Sequence, residues 1–133
     1  MPLIRVTPDK KKALSILKMV DTTLEMIGEL DLKKFPSNIT KEYYDVIREM
    51  TSVILLLDGY STYGAGAHTE LIEYIANNKL LNEYELSLTD DLRITRNKIS
   101  YDWFFVHEDY IKRKVKDIKD IVRKLRSIIE RRM

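Results

Sequence analysis

The sequence predicts an all-α protein, an up-and-down bundle of four to five helices. Three observations lead there. Apolar residues recur at steps of three and four along most of the chain, the spacing of one helix face. Only 4 Gly and 3 Pro are present, too few for the frequent turns of a sandwich, barrel or propeller. No segment alternates with period two well enough to be a convincing strand. The 133 residues suit one domain, 1–133, with one hydrophobic core.

The first helix is expected to start at Thr7 as N-cap, with Pro8 at the first helical position and Asp9 near the positive end of the dipole. Leu14, Leu17, Val20, Leu24 and Ile27 form its stripe, and Gly28 lies near its end. Residues 31–38, with Pro36, read as a connection. Thr40 is the next N-cap candidate, followed by a stripe of Tyr43, Ile47, Met50, Ile54 and Leu57. Val53, Leu55 and Leu56 add apolar surface on other sides, which places this helix centrally. Gly59 and the run Tyr63-Gly64-Ala65-Gly66-Ala67 break or kink it. A shorter helix follows over about 68–76, ending at Asn77-Asn78. The fourth long element runs from about Asn82 to Tyr101, with Leu88, Leu92, Thr95 and Ile99 on its core side. Trp103-Phe104-Phe105-Val106 is a short apolar connection that has to pack. A last helix over about 108–132 would be nearly ~40 Å long. Its Ile111, Val115, Ile118, Val122, Leu125 and Ile129 alternate steps of four and three, a heptad-like seam for long antiparallel packing.

The 0 Cys exclude disulfides, thiolate metal sites and a cysteine nucleophile, and 2 His argue against a His-rich metal site. No metal or cofactor is expected. Gly64-x-Gly66 has no strand before it, so it reads as a helix break and not as a phosphate cradle. The longest apolar run, Val53–Leu57, is far short of the ~20 residues of a membrane span. Residues 1–5 lack the form of a signal peptide, so a cytoplasmic protein without a membrane partner is expected. Abundant Lys, Glu and Ile with no Cys and no Gln lean toward a thermophilic composition.

The net charge of +2 hides an asymmetry. From His107 onward ten Lys and Arg face five Asp and Glu, while the rest of the chain is acidic by three charges. The basic face of the last helix reads either as a phosphate-facing stripe or as a solvated surface. Three acid-before-base pairs, Glu108–Lys112, Asp109–Arg113 and Asp120–Lys124, and the absence of interleaved aromatics favour the solvated surface.

The most informative segment is Arg93-Ile94-Thr95-Arg96-Asn97-Lys98-Ile99-Ser100-Tyr101. With Arg93 at 0° on a helical wheel, Asn97 falls at ~40°, Tyr101 at ~80°, Ser100 at ~340° and Arg96 at ~300°, opposite the core side. Two guanidinium groups, an amide and two hydroxyls therefore share one side. Spacing alone allows a solvated polar face, a hydrogen-bonded dimer seam or a site.

The run Arg96-Asn97-Lys98-Ile99-Ser100-Tyr101 resembles the Arg-Asn signature of HEPN domains, in an Arg-Asn-x-x-Ser-Tyr variant. Residues 43–48 and 58–68 are similar to the long central helix and Gly-containing break of that family, and the match is best over about 40–106. The resemblance implies a helical bundle that forms homodimers with two motif copies in one cleft. It implies relatives that are metal-independent ribonucleases, often toxins, and others that accompany nucleotidyltransferases or bind nucleotides or RNA without cleaving. By this likeness Arg96, Asn97 and Tyr101 are the catalytic candidates, and Arg93, Lys98, Ser100 and Asp102 the binding candidates. The family's motif His is replaced, with Tyr101 at the position His most often holds. A phenol with its ordinary pKa of ~10 is a poor base for a ribose hydroxyl at neutral pH. Arg96 suits a phosphate clamp, Asn97 can only orient or hydrogen-bond, and Asp102 is an alternative base or a helix cap. His107 reads as a helix-start residue and His68 as structural.

Three functions follow as expectations. The first is a HEPN-like dimer module that binds a nucleotide, RNA or a protein partner such as a nucleotidyltransferase or antitoxin, with cleavage weak or lost. The second is a metal-independent endoribonuclease toxin using Arg96, Asn97 and Tyr101. The third is a structural helical interaction protein.

Overall fold

The computed structural model describes residues 3–62 and 66–133. The expected break at Tyr63-Gly64-Ala65 lies outside the described residues. The elements in chain order are β1 (Leu3–Arg5), α1 (Lys10–Glu29), α2 (Pro36–Asp58), β2 (Tyr60–Thr62), α3 (Ala67–Asn77), α4 (Glu83–Asp102), α5 (Glu108–Lys112) and α6 (Val115–Arg132). The all-α expectation holds, with one two-stranded antiparallel sheet, β1 against β2, added to it. Among the described residues no helix is long and apolar enough to cross a membrane.

Helix α2 lies at the centre and packs against α1, α3, α4, α5 and α6. Its buried side chains include Tyr43, Tyr44, Ile47, Met50, Val53, Ile54 and Leu55, so its apolar circumference is covered on several sides, as its sequence requires. It begins earlier than expected. Pro36 occupies its first turn, and Thr40 sits one turn inside, its hydroxyl donating to the Pro36 carbonyl at 2.8 Å. Gly59 ends it at φ 89°, a left-handed conformation suited to glycine, and the Gly59 carbonyl accepts from Val6 N–H at 2.9 Å. That bond starts the β1–β2 pairing, which two three-residue strands are too short to announce by alternation.

Asp9, not Thr7, caps α1, accepting from Lys12 N–H at 3.0 Å. The stripe of α1 is also shifted. Val20 and Ile27 are buried as expected, but Ala13 takes the inward place and Leu14 is exposed. Helix α4 follows its prediction closely. Asn82 and Glu85 form a reciprocal capping box, and Leu88, Leu92 and Thr95 are buried. Glu85 Oε1 also accepts from Lys124 Nζ at 2.7 Å, tying α4 to α6.

The long last helix is in fact two. Lys114 N–H donates to the Ile111 carbonyl at 2.9 Å, a three-residue turn that separates α5 from α6. The apolar seam survives the turn, because Ile111, Ile118, Val122, Leu125 and Ile129 all stay buried. None of the three expected pairs, Glu108–Lys112, Asp109–Arg113 and Asp120–Lys124, is formed as an ion pair among the described residues; Arg113 Nε donates to the Asp109 carbonyl instead. Asp120 pairs with Arg123 and Lys124 with Glu85. Arg126 pairs with Asp21 of α1, and Arg132 with Asp58 of α2. The basic helix therefore directs several of its charges into cross-links between helices.

Only Val106 of the 103–106 connection is buried; its N–H donates to Ser37 Oγ at 2.7 Å. The expectation that the whole connection packs is corrected, since Trp103, Phe104 and Phe105 are all exposed. Trp103 ends α4 at φ 56° and is 89% exposed. A bulky side chain in the left-handed region costs roughly 1–2 kcal/mol, and no packing offsets it here. At concentrations where the chain is monomeric, Trp103→Gly should therefore be equally stable or up to about 1 kcal/mol more stable. Urea denaturation measures this, and a loss of stability would mean that Trp103 helps to hold the chain together.

Candidate functional site

Helix α3 begins at Gly66, which adopts φ 85° and offers no side-chain cap. The first amides of a helix have no intrahelical acceptor. Here Glu70 N–H already reaches the Gly66 carbonyl, and the amides of Ala67, His68 and Thr69 precede it at the positive end of the dipole. This uncapped end faces α4. Gly66, Ala67, His68 and Thr69 on one side, and Arg93, Asn97 and Tyr101 on the other, line an open cavity of about 240 Å³. No carboxylate lines it among the described residues.

Three of the seven predicted site residues thus meet in one place: Arg93, Asn97 and Tyr101. Arg93 Nε donates to Asp90 at 2.9 Å, which fixes the guanidinium at the cavity edge. Tyr101 is 72% exposed. Arg96 does not line the cavity. Its side chain is mostly buried behind it, with Nε 3.5 Å from Asp45 Oδ1 of α2 and Nη1 making a long 3.5 Å bond to Asn97 Oδ1. Asn97 itself lines the cavity. Arg48 Nε approaches the same Asp45 oxygen at 3.7 Å. One carboxylate thus serves two guanidinium groups, and the cluster keeps a surplus positive charge. None of these three atoms has a well-formed hydrogen bond.

The remaining predicted residues stand apart. Lys98 Nζ lies 5.9 Å from the Phe104 ring centroid. Ser100 Oγ is buried without a hydrogen-bond partner among the described residues. Asp102 is exposed at the last position of α4. His107 is a helix-start residue, its Nδ1 accepting from Asp109 N–H at 3.2 Å.

Sequence reasoning gave His68 as structural and did not place it beside the Arg-Asn segment. Its ring packs on Tyr44 with centroids 5.8 Å apart, and it forms one wall of the Arg93–Asn97 cavity. Burial lowers its pKa below the ordinary 6.5; Arg48, Arg96 and Arg93 lower it further, and Asp45 opposes them. Burial likewise pushes the Tyr44 phenol up to about 12, with the same arginines pulling the other way. A neutral imidazole therefore stands beside a surplus of fixed positive charge. Some signal was present: a Gly-Ala-His-Thr run opening a helix places His in a first turn, and Asp45 and Arg48 lie within a helix read as central, where charges need partners. The distance between His68 and Arg93 in sequence hid their meeting.

No protein-family profile and no curated protein matches this chain. Among the described residues no group of three or more His, Cys, Asp or Glu is placed to hold a metal ion. Converging amides, a guanidinium and a carboxamide are instead suited to an anion, above all a phosphate group.

The lowered His68 pKa has a consequence for stability. Below pH 6.5 the unfolded chain takes up a proton that folded His68 still refuses, so stability falls as pH drops from 6.5 toward the lowered value. Above 6.5 both states are neutral at His68 and its contribution is complete. His68→Asn should make thermal stability less sensitive to acidification between about pH 7.5 and 5 than in the parent protein. Identical slopes in the two proteins would contradict the burial of an uncharged imidazole.

Proposed function

We propose that this chain is a HEPN-like helical module that acts as a homodimer and binds the phosphate groups of RNA or a nucleotide at the α3–α4 cavity. One observation carries the reading: the first turn of α3, where no side-chain cap is formed among the described residues, and Arg93 and Asn97 of the Arg-Asn segment line one cavity that no carboxylate lines among those residues. A helix N-terminus, a guanidinium and an amide donor each favour an oxyanion, and together they select phosphate. Arg96 is a positioning residue in this reading. It holds Asn97 from behind and links α4 to Asp45.

The dimer is supported by the aromatic turn. Tyr101, Trp103, Phe104 and Phe105 are exposed within five consecutive residues at the end of the motif helix. Contiguous aromatic surface of this kind marks an interaction face. A second copy seated there would set two phosphate cavities side by side.

His68 favours a second reading, cleavage of RNA. A neutral imidazole is the group that Tyr101 cannot replace as acceptor of the 2′-hydroxyl proton. Cleavage of single-stranded RNA in the presence of a chelator, abolished by His68→Ala, would select this reading over binding alone.

The binding reading is tested with fluorescently labelled single-stranded RNA and AMP, and with sedimentation for the dimer. Arg93→Ala should weaken RNA binding and reduce its salt slope by about one, and Asn97→Ala should weaken it with little change in slope. Trp103→Gly should shift the dimer toward monomer while the fold persists. RNA and AMP binding that is absent, with the dimer intact, would overturn the phosphate reading and leave a structural interaction protein.

A further inference from the structure

A second cavity, of about 250 Å³, opens between α1, α2, β2 and α3 and shares Ala67 and His68 with the first. Its polar lining is rich in donors. Lys12 comes from α1, Arg48 and Ser52 from α2, and Ser61 and Thr62, whose side chains leave the strand on opposite faces, from β2. Lys12 makes no ion pair among the described residues, and no carboxylate lines the cavity among them. Arg48 shares Asp45 with Arg96, and its Nε is buried without an acceptor at hydrogen-bond distance. Arg48 and Arg96 thus share one negative charge, which leaves the Arg48 guanidinium favourable to an incoming anion. The rest of the lining includes the buried side chains of Leu55 and Leu71.

Two cations on separate helices, hydroxyl residues and an apolar wall describe an amphipathic ligand. Charge-assisted donors from two helices suit the dianionic head of a phosphate monoester. The volume lies below the ~300 Å³ at which drug-sized pockets begin, which limits the ligand to a small body. We propose that this cavity is a second anion site, next to the Arg93–Asn97 cavity, that takes a small phosphate monoester with its phosphate against Lys12 and Arg48 and its apolar body against Leu55 and Leu71. This site does not depend on RNA binding at the α3–α4 cavity.

The test is calorimetric titration of the full chain with phenyl phosphate, inorganic phosphate and phenol. Phenyl phosphate should bind saturably, inorganic phosphate about tenfold more weakly, and phenol not measurably. Lys12 is exposed on α1, so Lys12→Ala should fold normally by circular dichroism and still lose about tenfold in phenyl phosphate affinity. Phenyl phosphate that also enters the α3–α4 cavity should be lost in Asn97→Ala, with the Lys12-dependent binding unchanged. The proposal is overturned if phenyl phosphate does not saturate, if phenol binds as well, or if Asn97→Ala abolishes binding that Lys12→Ala leaves intact. The last result would place the phosphate in the α3–α4 cavity alone.

Discussion

Helix α2 carries apolar side chains on several sides, and a helix of that kind is stable only when other elements surround it. The described elements do so, with α1, α3, α4, α5 and α6 all packed on it. The polar residues of α2 must then find partners inside the bundle. Asp45 lies on the side that α4 covers, and Arg96 of α4 reaches back to it. A charge taken out of water without a partner costs several kcal/mol, so this contact constrains how α4 lies on α2. It also determines what the cavity sees. Arg96 is drawn inward, while Arg93 and Asn97, on the neighbouring face of α4, are left at the opening.

Much of this was legible in the sequence. The central place of α2 follows from Val53, Leu55 and Leu56 beside its main stripe. The start of α4 follows from Asn82, and its inner face from Leu88, Leu92 and Thr95, because a helix's periodicity and caps are local properties. What was not legible depends on distant partners. Leu14 has the same spacing credentials as Ala13, yet only the packing of α1 on α2 decides that Ala13 goes inward. The turn at residues 113–114 leaves the apolar seam almost undisturbed, so periodicity passes through it. β1 and β2 are three residues each, too short for a period-two signal. In the site, Arg93, Asn97 and Tyr101 were visible as one face of a helix, but His68 arrives from another helix. A wheel drawn for α4 alone has no place for it.

The electrostatics of the two candidate surfaces differ in kind. On α6 the cations are numerous, but Lys124, Arg126 and Arg132 each hold a carboxylate of another helix. Their loss would loosen the bundle as well as change its field. Around His68 the cations are fewer, yet Arg48 and Arg96 share a single carboxylate, and the amides of α3 add their partial charge. Local surplus and geometric convergence, not the number of basic residues, favour the α3–α4 cavity as the anion site.

Backbone and imidazole NMR during titration with a short single-stranded RNA tests this account most directly. It predicts the largest shifts at the amides of Ala67, His68 and Thr69, at the His68 ring and at the Asn97 side-chain amide, with α6 little affected. Shifts concentrated on Lys116, Lys119 and Arg123 of α6, with the α3 amides unmoved, would contradict it.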